Sequence, residues 1–147
     1  MIDQPEYTPA PTTEIPGPDL FMIVLKVADW PGMVNWYVER LGLLEILVDK
    51  QHRFALLAAG GGRLALQGDQ GGGSTRRDDG VRLVFLVPDV DHERTRLLGK
   101  GIEVGAPIDN LLEGYREIRF RDPEGTSLSF FAWTDSTQFS RFRQPPG

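Results

Sequence analysis

The sequence predicts an α+β fold of two tandem βαβββ modules, and three observations support this fold class. First, a shift of 60 residues places the segment from Met22 to Trp30 on the segment from Arg82 to Val90, which is an internal repeat. Second, each segment is an apolar, strand-like run that ends at an aspartate and leads into a helical pattern. Third, a glycine-rich stretch without large apolar residues divides the apolar sequence into two halves. Duplicated modules of this kind bury their apolar faces against each other.

These patterns divide the 147-residue chain into five segments. Five of the 11 prolines lie among the first 18 residues, which favours an extended or disordered arm over residues 1–19. The first βαβββ module spans residues 20–67, and a flexible linker spans residues 68–80. The second module spans residues 81–133, and an irregular tail spans residues 134–147.

In the first module, the apolar strand is followed by a helix over residues 30–41. Asp29 is placed as its N-cap, apolar residues recur at helical spacing, and Gly42 closes the helix as a C-cap does. Three strand-like runs follow, at Leu44–Asp49, Arg53–Ala59 and Arg63–Gln67.

The second module repeats this order. Asp89 is the predicted N-cap of a helix over residues 90–99, and Asp122-Pro-Glu-Gly125 is a predicted hairpin turn. The strand-like runs of this module are Glu103–Pro107, Arg116–Arg121 and Thr126–Ala132. The alternation within the last run places Leu128 and Phe130 on the face that packs against the helix.

Composition excludes several classes of protein. The chain has no cysteine, so disulfides, thiolate metal sites and a cysteine nucleophile are all absent. A formal charge of −5 argues against nucleic acid or an anionic membrane as partner. No run approaches the ~20 apolar residues of a membrane-spanning helix, and the first residues lack a secretory signal pattern. We therefore expect a soluble, cytoplasmic protein.

The strand, the aspartate, the helix ending in Leu-Gly, the three following strands, their repetition and the Asp-Pro-Glu-Gly turn together resemble the vicinal oxygen chelate superfamily. This superfamily includes glyoxalases, bleomycin-resistance proteins and extradiol dioxygenases. The resemblance covers about residues 20 to 133. It implies that each module curves into a half-barrel sheet with its helix on the convex face, and that paired modules enclose a ligand cleft. Because each half-barrel leaves strand edges open, we also expect a homodimer.

Enzymes of this superfamily usually hold a divalent metal at four positions on the strands that face the cleft. The resemblance places these positions at Met22, Ala65, Arg82 and Ser129. None of the four is a histidine or a carboxylate, and zinc, iron and manganese need such ligands. We therefore expect no metal ligand among these residues and no cofactor.

The same strands indicate which side chains meet a ligand. Because alternate residues share a face, Val24, Lys26, Val84, Leu86 and Ser127 accompany the four aligned positions. The complete set of predicted ligand-binding residues is Met22, Arg63, Ala65, Gln67, Arg82, Arg119, Ser129, Phe131 and Trp133. Guanidinium groups and aromatic rings on this face favour an anionic or polar aromatic ligand. The alternative is an apolar cleft in which Lys26 and Arg63 extend to the rim.

Three hypotheses for the function follow. The first is a metal-free protein, similar to the bleomycin-resistance branch, that binds a small molecule in the cleft between modules without transforming it. The second is a divergent glyoxalase-like lyase, isomerase or dioxygenase that places its metal differently or uses a metal-free acid/base site. The third is a regulatory or structural partner with no small ligand. Glu117 is the one candidate for a catalytic base, although a strand Glu with Arg119 two residues on is also typical of a charged ladder.

Overall fold

A computed structural model of the protein describes residues 17–68 and 81–134. Most of the predicted arm, linker and tail therefore lies outside the described residues. No helix within the described ranges is long and apolar enough to cross a membrane.

The first module forms a four-stranded sheet with one helical segment. Its elements are β1 (Ile23–Val27), α1 (Trp30–Asn35), a π-helix that continues α1 (Trp36–Leu41), β2 (Leu44–Asp49), β3 (Phe54–Ala59) and β4 (Gly62–Gly68). The strand order is β1-β4-β3-β2. β1 is parallel to β4, and the other neighbours are antiparallel. This is the predicted βαβββ order.

The second module repeats this arrangement. Its elements are β5 (Arg82–Leu86), α2 (Val90–Gly99), β6 (Ile108–Asn110), β7 (Tyr115–Arg121) and β8 (Ser127–Trp133). The strand order is β5-β8-β7-β6, with β5 parallel to β8. The two open sheets and their helices confirm the predicted α+β fold of two modules.

The predicted strand over Glu103–Pro107 is wrong. These residues have no regular secondary structure, and the short edge strand β6 begins one residue later, at Ile108. The segment is held instead by the N–H of Gly105, which donates to the carbonyl of Arg119 at 3.1 Å. Pro107 has no N–H to donate to a strand ladder, so pairing with β7 starts only after it.

Both predicted helix caps are present. An Oδ1 atom of Asp29 accepts from the N–H of Gly32 at 3.2 Å, and Oδ1 of Asp89 accepts from the N–H of His92 at 3.1 Å. Gly42 ends the first helical segment at φ +95°, in the left-handed region where glycine carries no steric cost.

The core lies between the sheets and the helices. On the first sheet Ala55, Leu57, Leu64 and Leu66 are buried on the face that meets α1. On the second sheet the corresponding buried residues are Ile118, Phe120, Leu128 and Phe130. Because strand side chains alternate, the remaining strand residues lie on the opposite face of each sheet.

The two modules are joined through their helices and the hairpin turn at residues 122–125. The buried hydroxyl of Tyr37 donates to Oδ2 of Asp122 at 2.6 Å. The carboxylate of Glu124 accepts from the N–H groups of Ala28 and Asp29 at 2.9 to 3.0 Å. These contacts place the turn of the second module against the beginning of the first module's helix.

Candidate functional site

The face of the second sheet that is turned away from the helices, here called the open face, arranges its side chains in four cross-strand rows. The strand register defines each row from β5 through β8 to β7. The rows are Arg82–Ser127–Arg121, then Val84–Ser129–Arg119, then Leu86–Phe131–Glu117, and finally Trp133–Tyr115. One end of the open face is therefore cationic and the other end is aromatic.

The cationic end borders a cavity of about 640 Å³. Arg82 on β5 and Arg119 on β7 both line it, with Val84 and Ser127 between them. The cavity is lined by residues of the second module. It can accept a small anion or the acidic group of a larger molecule, because guanidinium groups bind oxyanions through paired hydrogen bonds.

Glu117 and Arg119 form an ion pair in the middle of the open face. Nη2 of Arg119 donates to Oε2 of Glu117 at 3.0 Å, and Nε donates to Oε1 at 3.3 Å. The Glu117 side chain is only 8% exposed, whereas that of Arg119 is 53% exposed. The hydrogen bonds that Arg119 donates to Glu117 raise the pKa of Arg119 above its ordinary value, so this guanidinium stays charged.

This geometry bears on the proposed catalytic role of Glu117. A general base must accept a proton from the substrate, yet both carboxylate oxygens of Glu117 already accept from Arg119. The arrangement resembles a fork-to-fork pair, which orients the arginine. Glu117 therefore fits best as the residue that positions Arg119.

Ser129 is the central residue of the second row. It is 1% exposed, and its Oγ atom has no hydrogen-bond partner among the residues that the structure describes. The register places Val84 on one side of Ser129 and Arg119 on the other. A buried hydroxyl without a partner is uncommon in folded proteins and marks a place where a further group completes the hydrogen bonding.

Three rings cluster at the other end of the open face. Phe131 and Trp133 meet edge to face, with ring centroids 5.1 Å apart. Tyr115 packs against both of them, at 5.9 Å and 6.3 Å between centroids. All three residues are only partly buried, so the cluster offers aromatic surface to a bound ring.

The predicted site residues of the first module lie on a different sheet. Met22 directly precedes β1, and Arg63, Ala65 and Gln67 lie on β4. The guanidinium of Arg63 lies 4.3 Å from the centroid of the Phe21 ring. Nε2 of Gln67 donates to the carbonyls of His52 and Arg53, and Ala65 is fully buried.

The structure thus brings together only part of the predicted site. Arg82, Arg119, Ser129, Phe131 and Trp133 share the open face of the second sheet. Arg63 and Arg82 border a common groove of about 920 Å³ between the modules. Met22, Ala65 and Gln67 line neither that groove nor the cationic cavity.

The residues at the four positions where the resemblance places a metal do not fit one. A thioether, a methyl group, a guanidinium and a hydroxyl, from Met22, Ala65, Arg82 and Ser129, supply neither imidazole nor carboxylate. Within residues 17–68 and 81–134, no group of three or more histidine or acidic side chains is placed to hold a metal ion. The donor chemistry of the site therefore differs from that of a transition-metal centre.

A larger groove, of about 1210 Å³, lies between the first helix and the segment at residues 101–105. Three of the acidic residues that line it already have structural roles. Asp29 caps α1, Asp122 accepts from Tyr37, and Glu124 accepts from two backbone N–H groups. This groove is better explained as the seam between modules than as a binding site.

Sequence reasoning missed two residues of the open face, Arg121 and Tyr115. Both share the parity of Glu117 and Arg119 on β7, since each lies two residues from one of them. The alternation that identified Arg119 therefore also contained the signal for these two residues.

Comparison with known proteins assigns the family. Residues 20–130 match the model of the Glyoxalase/Bleomycin resistance protein/Dioxygenase superfamily. The chain therefore belongs to this superfamily, the vicinal oxygen chelate superfamily. No curated protein matches the chain.

Solved structures share the fold. An integron cassette protein from the mobile metagenome of a Halifax Harbour sewage outfall is 26% identical, with a TM-score of 0.65, covering 78% of this chain and 97% of that one. TnmS3, an antibiotic binding protein from a Streptomyces species, is 23% identical, with a TM-score of 0.62 and coverages of 78% and 97%. The fosfomycin resistance protein FosX from Listeria monocytogenes, complexed with Mn(II) and sulfate, is 17% identical, with a TM-score of 0.66 and coverages of 84% and 97%.

Proposed function

We propose that this protein binds a small organic molecule on the open face of the second sheet and does so without a metal. The observation that carries this proposal is the chemistry at the four family metal positions, which offer no imidazole or carboxylate. The same face instead carries arginines at one end and aromatic rings at the other. An anionic or polar aromatic ligand suits such a surface.

An enzyme is the second candidate, and the buried Glu117 carboxylate is the observation that favours it. Fold similarity does not decide between the two, because an antibiotic binding protein and a manganese complex both share this fold. The pairing of both Glu117 oxygens with Arg119 supports binding over acid/base catalysis.

We also propose that the chain forms a homodimer. In this dimer, each copy would cover the apolar surface beside the open strand edges of the other. β1 and β5 lie at the edges of their sheets. Val24 on β1 and Val84 and Leu86 on β5 are 44%, 52% and 54% exposed. Exposed apolar side chains on an open edge strand favour pairing with another chain. A cytoplasmic location stays a prediction of the sequence.

Elemental analysis tests the metal-free proposal. Protein purified without chelators is expected to contain far less than one zinc, iron or manganese ion per chain, and its ligand binding should survive EDTA treatment. The control is a metal-dependent glyoxalase purified in the same buffers. One tightly held transition metal per chain, lost together with binding on EDTA treatment, would contradict the proposal and favour the enzyme.

A further inference from the structure

We infer that the open face is built for a single molecule that carries both an oxyanion and an aromatic ring, about 10 Å apart. Arg121, which nothing above places in a binding role, is one of the residues that hold the oxyanion. This inference rests on the proposed function and specifies its ligand class. It depends on the order of the rows and on the unsatisfied hydroxyl of Ser129.

The oxyanion end consists of the first two rows. Arg82 and Arg121 occupy the two ends of the first row, with Ser127 between them. Arg119 lies on β7 in the next row, beside Ser129. Three arginines from two strands thus belong to the first two rows, and these rows contain no carboxylate. All three arginines line the cavity at this end.

Contacts within the sheet orient two of these arginines. Glu117 holds Arg119 through two hydrogen bonds. Nη1 of Arg121 donates to the carbonyl of Gly125 at 2.7 Å, which anchors it at the hairpin turn. Arginines held in this way lose less conformational entropy when they bind an anion.

Ser129 provides an independent indication of a ligand. Its Oγ is buried and has no hydrogen-bond partner among the described residues, and the register places it between Val84 and Arg119, which both line the cavity. A hydroxyl can donate to an oxyanion, so a carboxylate or phosphate between Arg119 and Arg82 would satisfy it.

The ring end lies further along the same strand. Phe131 belongs to the third row and Trp133 to the fourth, and the Tyr115 ring packs on both. The distance along β8 from the midpoint of the first two rows to Phe131 is three residues, which is about 10 Å at the rise of a β-strand. A molecule of this length reaches both ends at once.

Glu117 lies in the third row beside Phe131, next to the row that contains Arg119. Its carboxylate pairs with Arg119, and the first row carries the guanidinium groups of Arg82 and Arg121. A ligand amine at the oxyanion end would face these two guanidinium groups. The face should therefore reject a cationic analogue of the same shape.

The experiment measures dissociation constants by calorimetry for phenylacetate, phenylbutyrate, phenylhexanoate and phenyloctanoate. Phenylhexanoate, whose carboxylate lies near 10 Å from its ring, should bind most tightly. Phenylhexylamine and hexanoate test the need for the acid and for the ring. Phenylhexyl phosphate distinguishes a phosphate site, for which it would bind more tightly than the carboxylate, from a carboxylate site.

The variants R82Q and R121Q should each weaken phenylhexanoate binding by about tenfold or more, because each removes a charge-assisted hydrogen bond. R116Q is the matched control, since Arg116 lies on the same strand but on the opposite face, where it pairs with Asp91 and Asp109. R121K separates loss of charge from a change in the turn at Gly125. R121K keeps the charge and should retain part of the affinity. If Arg121 had a purely structural role, R121Q and R121K would lower the melting temperature equally.

Binding of the amine as tightly as the acid, or acid binding that R82Q and R121Q leave unchanged, overturns this inference. If only amines or neutral aromatic compounds bind, this inference is overturned, but the proposed binding of a small organic molecule is not. If no compound of the series binds and the protein retains no small molecule from cells, both this inference and the proposed function fail.

Discussion

The Glu117–Arg119 pair shows how single residues set the character of the open face. Glu117 is a nearly buried carboxylate, and Arg119 reaches from its neighbouring row to neutralise it. A buried charge is tolerated only when it is paired and hydrogen-bonded. The pair therefore fixes the position of the Arg119 guanidinium.

Replacing Arg119 by methionine should destabilise the protein by about 1–2 kcal/mol, because the buried Glu117 carboxylate loses its cation. Because Arg119 is partly exposed to solvent, the expected loss of unfolding free energy is smaller than that for breaking a fully buried ion pair. The double variant E117Q/R119M should recover most of the loss, since a neutral amide needs no counter-charge. Urea unfolding of the three proteins measures the effect. A double variant no more stable than R119M alone contradicts this account of the pair.

Among the secondary-structure elements, the hairpin turn at residues 122–125 connects the modules. Glu124 accepts three hydrogen bonds from the N–H groups of Ala28 and Asp29, where β1 ends and α1 begins. Negative charge at the beginning of a helix is favourable, and these N–H groups otherwise have no partner within the helix. The turn thus acts on the first module although it belongs to the second.

Glu124→Ala is expected to lower the free energy of unfolding by about 1 kcal/mol. Glu113→Ala is the matched control, because Glu113 lies exposed in another turn and, among the described residues, bonds only through its backbone N–H, which donates to Oδ1 of Asn110. Chemical denaturation of both variants compares them directly. Equal stability of the two variants is the result that argues against a connecting role for the turn.

The sequence predicts an element well when the interactions that define its ends lie between neighbouring residues. Helix starts at Asp29 and Asp89 and the end at Gly42 were predictable, because capping is a local interaction. The π-helix at Trp36–Leu41 was not, since its apolar spacing is that of an ordinary helix. The strand predicted at Glu103–Pro107 failed because Pro107 has no N–H to donate, and pairing with β7 begins only at Ile108.

The site was predictable to a similar extent. Alternation identified which residues of β8 and β7 share a face, because this follows from strand geometry alone. The repeat already placed the first-module residues and Arg82 on separate sheets, but it did not show that only Arg63 of the first-module set borders a groove with Arg82. Nor did it reveal that the Arg63 guanidinium stacks on Phe21, which depends on the path of the chain before β1.

At the scale of the whole molecule, apolar residues beside the open edge of β5 predict self-association. Light scattering at micromolar concentration should give twice the chain mass of 16.4 kDa. Leu86→Glu, at a 54% exposed position on β5, should shift the protein towards the monomer, because a charge in an apolar interface is costly. Leu98→Glu on α2, where the leucine is 44% exposed, is the control and should leave the mass unchanged. A monomeric wild-type protein contradicts the proposed dimer.

The central claim is that the open face of the second sheet binds a small organic molecule without a metal. A crystal structure of protein purified directly from cells, with anomalous data for transition metals, tests it most directly. The account predicts electron density for an organic molecule between Arg82 and Phe131, and no anomalous peak near Ser129. A metal ion beside Ser129, or a ligand bound only in the groove between α1 and residues 101–105, would contradict it.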